Sequence, residues 1–283
     1  MRHYTLAILL SVFTLVMTTI MSHSVLAASP RTDLTYKVFA GGINAVEAKM
    51  SVESAQDHYK LSFVAKTRGF LGKLAPWSGS FESYGWSENG LNHVPEKHTA
   101  ISTWRKEKET KEYFYKKDGT FDKLTITEDG KVKPSDTLDP KITNNTTDLL
   151  TATMNIMSNA MQSGKCEGTS VVFDGKRRFD LAFNSEEGEP LKASRYNIFE
   201  GVTIKCVVEV KPISGRWHEK PRGWMSIQEQ GRELGTLPTI WFGQVEEGGI
   251  YVPVKVRVKT NYGVLFMHLK SFTTSDKTSH GTK

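Results

Sequence analysis

The chain has 283 residues, of which 38% are hydrophobic and 24% are charged, and its formal net charge is +6 at neutral pH. These values are near the norm for globular proteins, and the length suffices for one large or two small domains. Basic and acidic residues are interspersed, as between Lys106 and Lys117, which is typical of a solvated face and argues against a nucleic-acid partner. The modest positive excess favours at most a mild attraction to anionic lipid headgroups.

The first 27 residues have the pattern of a signal peptide. Arg2 precedes an uncharged run from Leu6 to Met21, and Val25-Leu26-Ala27 supplies small residues for signal-peptidase cleavage. The apolar run is shorter than the roughly 20 residues that span a bilayer, so an uncleaved membrane anchor is the less favoured alternative. The sequence therefore predicts export to the periplasm and a mature chain that begins at Ala28.

Most of the remaining sequence alternates apolar and polar residues with a period of two, which indicates half-buried β-strands. Glycine-containing turns separate the runs, as antiparallel hairpins require. The predicted strands span residues 36–40, 45–52, 59–65, 80–86, 91–104, 113–115, 121–127, 169–173, 178–183, 202–210, 250–259 and 264–269. Pro253 cannot donate a hydrogen bond to a neighbouring strand, so its strand is expected at a sheet edge or with a bulge at that position.

One segment, residues 148–162, has the pattern of a helix, and residues 131–145 before it have the pattern of a loop. Thr147 or Asp148 can cap the first turn of the helix, and Gly164 follows as a stop signal. Leu150, Met154, Met157 and Met161 have helical spacing and predict one apolar face. We expect that face to pack on the concave side of the sheet; a movable lid over an apolar cavity is the alternative.

The two cysteines, Cys166 and Cys206, predict a single disulfide. An even, small number of cysteines in an exported chain is typical of this arrangement, and neither residue lies in a redox or metal motif. Since Cys166 follows the predicted helix, the bond would fix the end of that helix to the strand carrying Cys206. Two free thiols and a metal pair are the alternatives.

A glycine-rich loop between two predicted strands carries large apolar residues. They are Phe70, Leu71, Leu74 and Trp77. Such residues either cap the core or line the entrance to a cavity for an apolar ligand.

The sequence shows no catalytic motif, no cofactor motif and no metal-ligand pattern. His93 and His98 are five residues apart, which would place their rings on opposite faces of a regular strand and argues against a shared metal site. His218 is expected in a surface turn. Arg177 and Arg178 follow a turn and are expected at an exposed hairpin end, with anion binding as the alternative.

An ordered set of short segments resembles a family of bacterial envelope proteins known as domain of unknown function 3108. The segments are residues 34–36, 41–43, 65–69, 78–86, 147–150, 172–178, 206, 211–215 and 251–254. The resemblance implies an exported, mostly antiparallel β-protein and supplies no catalytic residues. The architecture is also loosely similar to the open β-barrels that carry lipoproteins through the periplasm.

Together these observations predict an all-β, mainly antiparallel protein that curls into an open barrel, with one principal helix. A single domain is expected over residues 28–272, followed by a disordered polar tail over residues 273–283; a two-sheet sandwich and two small β-domains joined near residues 131–145 are alternatives. The favoured function is non-catalytic binding of a lipid or another apolar ligand. The candidate ligand contacts are Phe70, Leu71, Leu74, Trp77, Leu150, Met154, Met157 and Met161. The alternative is a structural factor with a filled core that contacts an envelope protein partner.

Overall fold

A computed structural model describes residues 30–134, 138–217, 224–260 and 263–275. The predicted signal peptide, the turn containing His218 and residues 276–283 of the polar tail lie outside these ranges. None of the helices in the described part of the chain has the length and apolar character needed to cross a bilayer.

Fourteen strands of the described chain form one antiparallel sheet. They are β1 (Arg31–Ala40), β2 (Ile43–Ser54), β3 (His58–Thr67), β4 (Trp77–Glu88), β5 (Asn92–Trp104), β6 (Glu107–Tyr115), β7 (Phe121–Glu128), β8 (Lys131–Val132), β9 (Gly168–Phe173), β10 (Arg177–Glu186), β11 (Ile204–Gly215), β12 (Thr239–Gln244), β13 (Tyr251–Thr260) and β14 (Gly263–Ser275). The order across the sheet runs from β8 down to β1, then from β14 down to β9. Two meanders are thus joined through the β1–β14 pair, which confirms the predicted antiparallel architecture.

The sheet curls until its two ends approach, but no strand ladder closes it. Phe173 of β9 contacts Tyr113 of β6 edge-on, with ring centroids 6.1 Å apart, and lies 5.5 Å from Phe121 of β7. A bridge between Thr147 and Val172 occupies the free edge of β9. The seam of the open barrel is therefore held by aromatic side chains and a covering segment rather than by paired strands.

The principal helix, α3 (Leu149–Ser163), confirms the predicted helix. Asp148 caps it by accepting hydrogen bonds from the backbone N–H groups of Leu150 and Thr151, and Gly164 ends it with φ +67°. The helix packs inside the barrel against β3, β4, β5, β9 and β13. Met154 and Met157 are fully buried, whereas Met161 is 42% exposed, so the apolar face ends one turn earlier than predicted.

Three further helices lie in the connections: α1 (Gly69–Leu74), α2 (Pro140–Thr143) and α4 (Trp224–Glu233). The sequence pattern did not predict α4. Its buried Gln228 donates to the carbonyl of Val210 and accepts from the N–H of Val210. A side-chain amide thus supplies the two hydrogen bonds that a neighbouring strand would make to β11.

Several predicted boundaries differ from the structure. The last strand continues to Ser275, where it pairs with Arg31, so Thr273 is strand rather than disordered tail. Residues 131–145, predicted as a loop, include β8 and α2.

Pro253 lies in an interior strand, because β13 has β12 and β14 as neighbours, so the predicted sheet edge is wrong. The predicted bulge is confirmed: Phe242 pairs with Pro253 and Trp241 pairs with Lys255, which leaves Val254 without a partner in β12. Pairing between β13 and β14 begins only at Lys255. Pro253 therefore has no ladder partner on the β14 side, and on the β12 side it lies at the bulge.

Candidate ligand-binding cavity

The interior of the barrel is filled at one end and hollow toward the other. We call the end that carries the turn at Gly41 and the connection containing α1 the upper end; the β4–β5 turn lies at the lower end. Helix α3 contacts His93, near the lower end, through Asn155 and Ser158. The helix begins halfway up the barrel, and its first residues, Leu149 and Leu150, form the floor of the hollow upper half.

The larger apolar cavity in this upper half has a volume of ≈ 420 Å³. Its walls come from β2, β3, β10, β11 and β12, with contributions from α3 and α4. The lining side chains are Met50, Phe63, Leu149, Leu150, Thr153, Arg177, Phe179, Leu181, Phe183, Val208, Val210, Trp217, Met225 and Ile240. Arg177 is the one charged residue among them. The volume is within the range of pockets that hold small apolar ligands.

A second cavity of ≈ 340 Å³ adjoins the first on the other side of Phe63, Leu149 and Leu150, which line both. Phe81 and Ala100 contribute to its wall. Its floor differs from that of the larger cavity because it includes polar side chains from the cap of α3.

That polar floor is centred on the carboxylate of Asp148, which is 1% exposed. Besides the two backbone N–H groups, the hydroxyls of Thr151 and Ser83 donate to it at 2.5 and 2.6 Å. The Thr151 hydroxyl also lies 2.5 Å from the Tyr59 hydroxyl. A buried carboxylate with four donors is fully satisfied, so it fixes the start of the helix to strands β3 and β4.

His98 lies beside this carboxylate. Its Nδ1 is 2.7 Å from the Ser83 hydroxyl and 3.3 Å from Asp148. Since the Ser83 proton is directed to Asp148, Nδ1 must carry a proton and donate. Burial lowers the pKa of His98, and the nearby Asp148 charge opposes that shift. Ser83 is fully buried and its proton points to a carboxylate rather than to the histidine, so these three residues lack the geometry of an activated nucleophile.

His93 and His98 lie on the same face of β5, so the prediction of opposite faces is wrong. Tyr84 pairs with Lys97 and Gly85 pairs with Pro95, which leaves Glu96 as a bulge that shifts the alternation by one residue. Both rings therefore point to α3. His93 contacts the hydroxyls of Ser87 and Ser158 at 2.8 Å each. In the described residues, no three His, Cys, Asp or Glu side chains are placed to hold a metal ion.

The structure separates the side chains that the sequence grouped as ligand contacts. Leu150 lines both apolar cavities, whereas Met154 and Met157 are buried in the core and line neither. Met161 lies beyond the buried face. The cavity-lining residues that the sequence pattern missed come chiefly from β10 and β11, whose alternation predicted inward-facing residues but not the space between them.

The predicted apolar loop is the short helix α1 at the upper end. Phe70 and Leu74 are 76% and 63% exposed, and Leu71 is partly exposed. Trp77, at the start of β4, packs against the main core and donates through its indole N–H to Ser102. The exposed residues thus lie at the same end of the strands as the hollow, but they do not line the two apolar cavities.

Cys166 and Cys206 form a disulfide, as predicted, with 6.0 Å between their Cα atoms. Both residues are fully buried. The bond connects the segment after α3 to β11, and so anchors the lower end of the helix to the sheet.

The fold defines an open, antiparallel β-barrel with an internal helix and a hollow upper half. A family model described as protein of unknown function, DUF3108, matches residues 34–270. The chain belongs to this family. No curated protein matches the sequence. Among solved structures, the chain is similar to a β-barrel-like protein of domain of unknown function DUF1849 from Brucella abortus, at 10% identity, with a TM-score of 0.47 and coverage of 88% of this chain and 99% of that chain.

Proposed function

We propose that this protein is a non-catalytic factor of the bacterial envelope that binds an apolar ligand in the upper half of its barrel. The observation that carries the proposal is the cavity of ≈ 420 Å³, whose walls are almost entirely apolar. Protein interiors are normally packed to the density of organic crystals, and a hollow of this size is costly unless a ligand uses it.

Thr153 provides a test because its side chain reaches the cavity from the helix floor and is only partly buried. Thr153→Phe should fill part of the space while leaving the packed face of α3 intact. Gln162→Phe is the matched control, since Gln162 is exposed near the lower end of the same helix.

The assay is fluorescence titration with N-phenylnaphthylamine, a neutral apolar dye. The parent protein and the Gln162→Phe variant should bind the dye, and Thr153→Phe should weaken binding about tenfold or more, which corresponds to ~1.4 kcal/mol. Absence of dye binding by the parent protein, or equal binding by all three proteins, would contradict a ligand site in this cavity.

We further propose that the protein works in the periplasm. The signal-peptide pattern of residues 1–27 supports this location, and a buried disulfide is typical of exported proteins. Mass spectrometry of the protein from its native cells should find an N-terminus at Ala28 or Ser29. Recovery of membrane-bound protein that retains Arg2 would refute the proposal.

Contact with an envelope protein partner is the second candidate function, and the exposed side chains of α1 favour it. Phe70 and Leu74 present apolar surface to solvent at the upper end. Photocrosslinking in cells from position 70 should then give a discrete adduct that Leu74→Ser abolishes, without change in dye binding. Lack of any adduct would remove this candidate.

A further inference from the structure

A group of cations borders the hollow upper half of the barrel. Lys111, Lys176, Arg177 and Arg216 surround a polar cavity of ≈ 320 Å³ together with one carboxylate, Asp174. This polar cavity shares Arg177 with the larger apolar cavity, and it shares Lys111 and Asp174 with the second. Apolar space and positive charge are therefore continuous.

Two of the four cations are compensated and two are not. Lys111 pairs with Glu109 at 2.7 Å, and Arg177 pairs with Asp174. For Lys176 and Arg216 no ion pair occurs with any residue in the described ranges. Both side chains are exposed, so the cluster presents uncompensated positive charge to an incoming ligand.

Backbone contacts assemble this cluster from distant parts of the sequence. A Cβ at Gly175 would lie 2.8 Å from the Tyr113 hydroxyl and 3.5 Å from Cδ of Lys111, so only glycine lets the β9–β10 turn approach β6. The N–H of Arg216 donates to the carbonyl of Lys176 at 2.9 Å. The fold therefore fixes the backbone positions from which these cations extend.

Arg177 marks the boundary between the polar and apolar regions. Its guanidinium lies 5.0 Å from the ring centre of Trp217, a residue that also lines the larger apolar cavity. The Asp174 side chain accepts from the N–H of Arg177 at 2.8 Å and from its Nε at 2.7 Å. A ring and a carboxylate therefore hold the guanidinium where an apolar chain would end and a charged group would begin.

We infer that the ligand is an amphiphile with one anionic head, a carboxylate or a phosphate, bound by Lys176, Arg177 and Arg216 while its apolar chain occupies the larger cavity. This inference rests on the proposed function, since it assigns the head of the ligand whose chain the cavity holds. Guanidinium and ammonium groups recognise both anions through charge-assisted hydrogen bonds. The same cations would repel a cationic head and give no advantage to a neutral one.

The test is displacement of the neutral dye N-phenylnaphthylamine by matched competitors: hexadecanoate, hexadecyl phosphate, the methyl ester of hexadecanoic acid, and inorganic phosphate. At least one anionic amphiphile should compete about tenfold better than the ester, with a preference that falls as salt rises. The stronger of the two anions identifies the head.

The double variant Lys176→Gln/Arg216→Gln should lower the affinity for the anionic amphiphile about tenfold and leave the ester unchanged. Lys116→Gln/Lys117→Gln, which removes the same charge from the β6–β7 turn at the lower end, is the matched control and should change neither.

The outcomes distinguish an error in the inferred anionic head from an error in the proposed apolar binding site. If the ester and the anions displace the dye equally from the parent protein, the cavity binds apolar ligands and the inferred head is wrong. If inorganic phosphate competes as well as hexadecyl phosphate, the cations bind a free anion and the amphiphile is wrong. If the dye itself does not bind, the proposed function fails together with the inference.

Discussion

Acid should destabilise this protein through His93, a histidine that the fold buries without a carboxylate partner. Its ring is 4% exposed, and its two nitrogens contact the hydroxyls of Ser87 and Ser158. A neutral imidazole matches these partners as one donor and one acceptor. Because burial penalises the charged form, it lowers the pKa of His93 to about 4.

The sign of the effect follows from proton binding by the two states. The unfolded chain, with a histidine pKa near 6.5, binds a proton before the folded protein does, so acidification favours unfolding. The contribution of neutral His93 to the free energy of unfolding is present above about pH 6.5. It is lost as the pH falls toward the pKa of His93 in the folded protein. Between about pH 6.5 and about pH 4.5, linkage gives a loss of ~2 kcal/mol from this residue.

His93→Gln isolates this contribution because glutamine keeps a polar group near Ser158 but does not titrate. Urea unfolding of both proteins at several pH values should show the parent losing ~2 kcal/mol more than the variant across that pH range. Both proteins share a further acid sensitivity from His98, whose pKa burial also lowers. Parallel stability curves for the parent and His93→Gln would refute the assignment.

Three further predictions concern stability. Cys206→Ser should lower the free energy of unfolding by roughly 2–5 kcal/mol, and reduction of the parent protein should give a similar loss in thermal melts; an unchanged melt after reduction would contradict this role of the disulfide. Met154→Ala should cost about 2–5 kcal/mol because Met154 is fully buried, whereas Met161→Ala at the exposed end of the same helix should cost far less; equal losses would contradict the described packing. Gln228→Ala should cost about 1–3 kcal/mol by leaving both backbone groups of Val210 without partners, and accelerated hydrogen exchange at the Val210 amide would report it, while unchanged exchange would count against that role.

Local rules predicted much of the fold. The β4–β5 turn contains Asn89 and Gly90, both with positive φ, as Asn-Gly hairpin turns require. The cap at Asp148, one of two adjacent candidates, and the stop at Gly164 are likewise encoded in short segments, whereas the pairing of Cys166 with Cys206 follows from the presence of only two cysteines in the sequence. Each depends on residues close in sequence or on the small number of cysteines.

The features that escaped prediction depend on register and on space. The bulge at Glu96 is followed by the polar residues Lys97, His98 and Thr99, where a one-residue shift leaves no mark on the hydrophobic pattern, so strict alternation places His98 on the wrong face. The single helical face expected through Met161 assumed that the whole helix is enclosed, whereas the barrel ends earlier. The cavity exists because α3 begins halfway along the barrel axis. No periodicity in the sequence encodes the position of the helix start along that axis.

The position of α3 also determines how a ligand could enter and leave the cavity proposed above. Because the helix fills the lower end of the described barrel and the disulfide anchors it there, a ligand in the hollow half would enter and leave through the upper rim. Such a pocket is open at one end and is not a channel through the barrel. Binding of a second ligand would therefore require release of the first through the same rim.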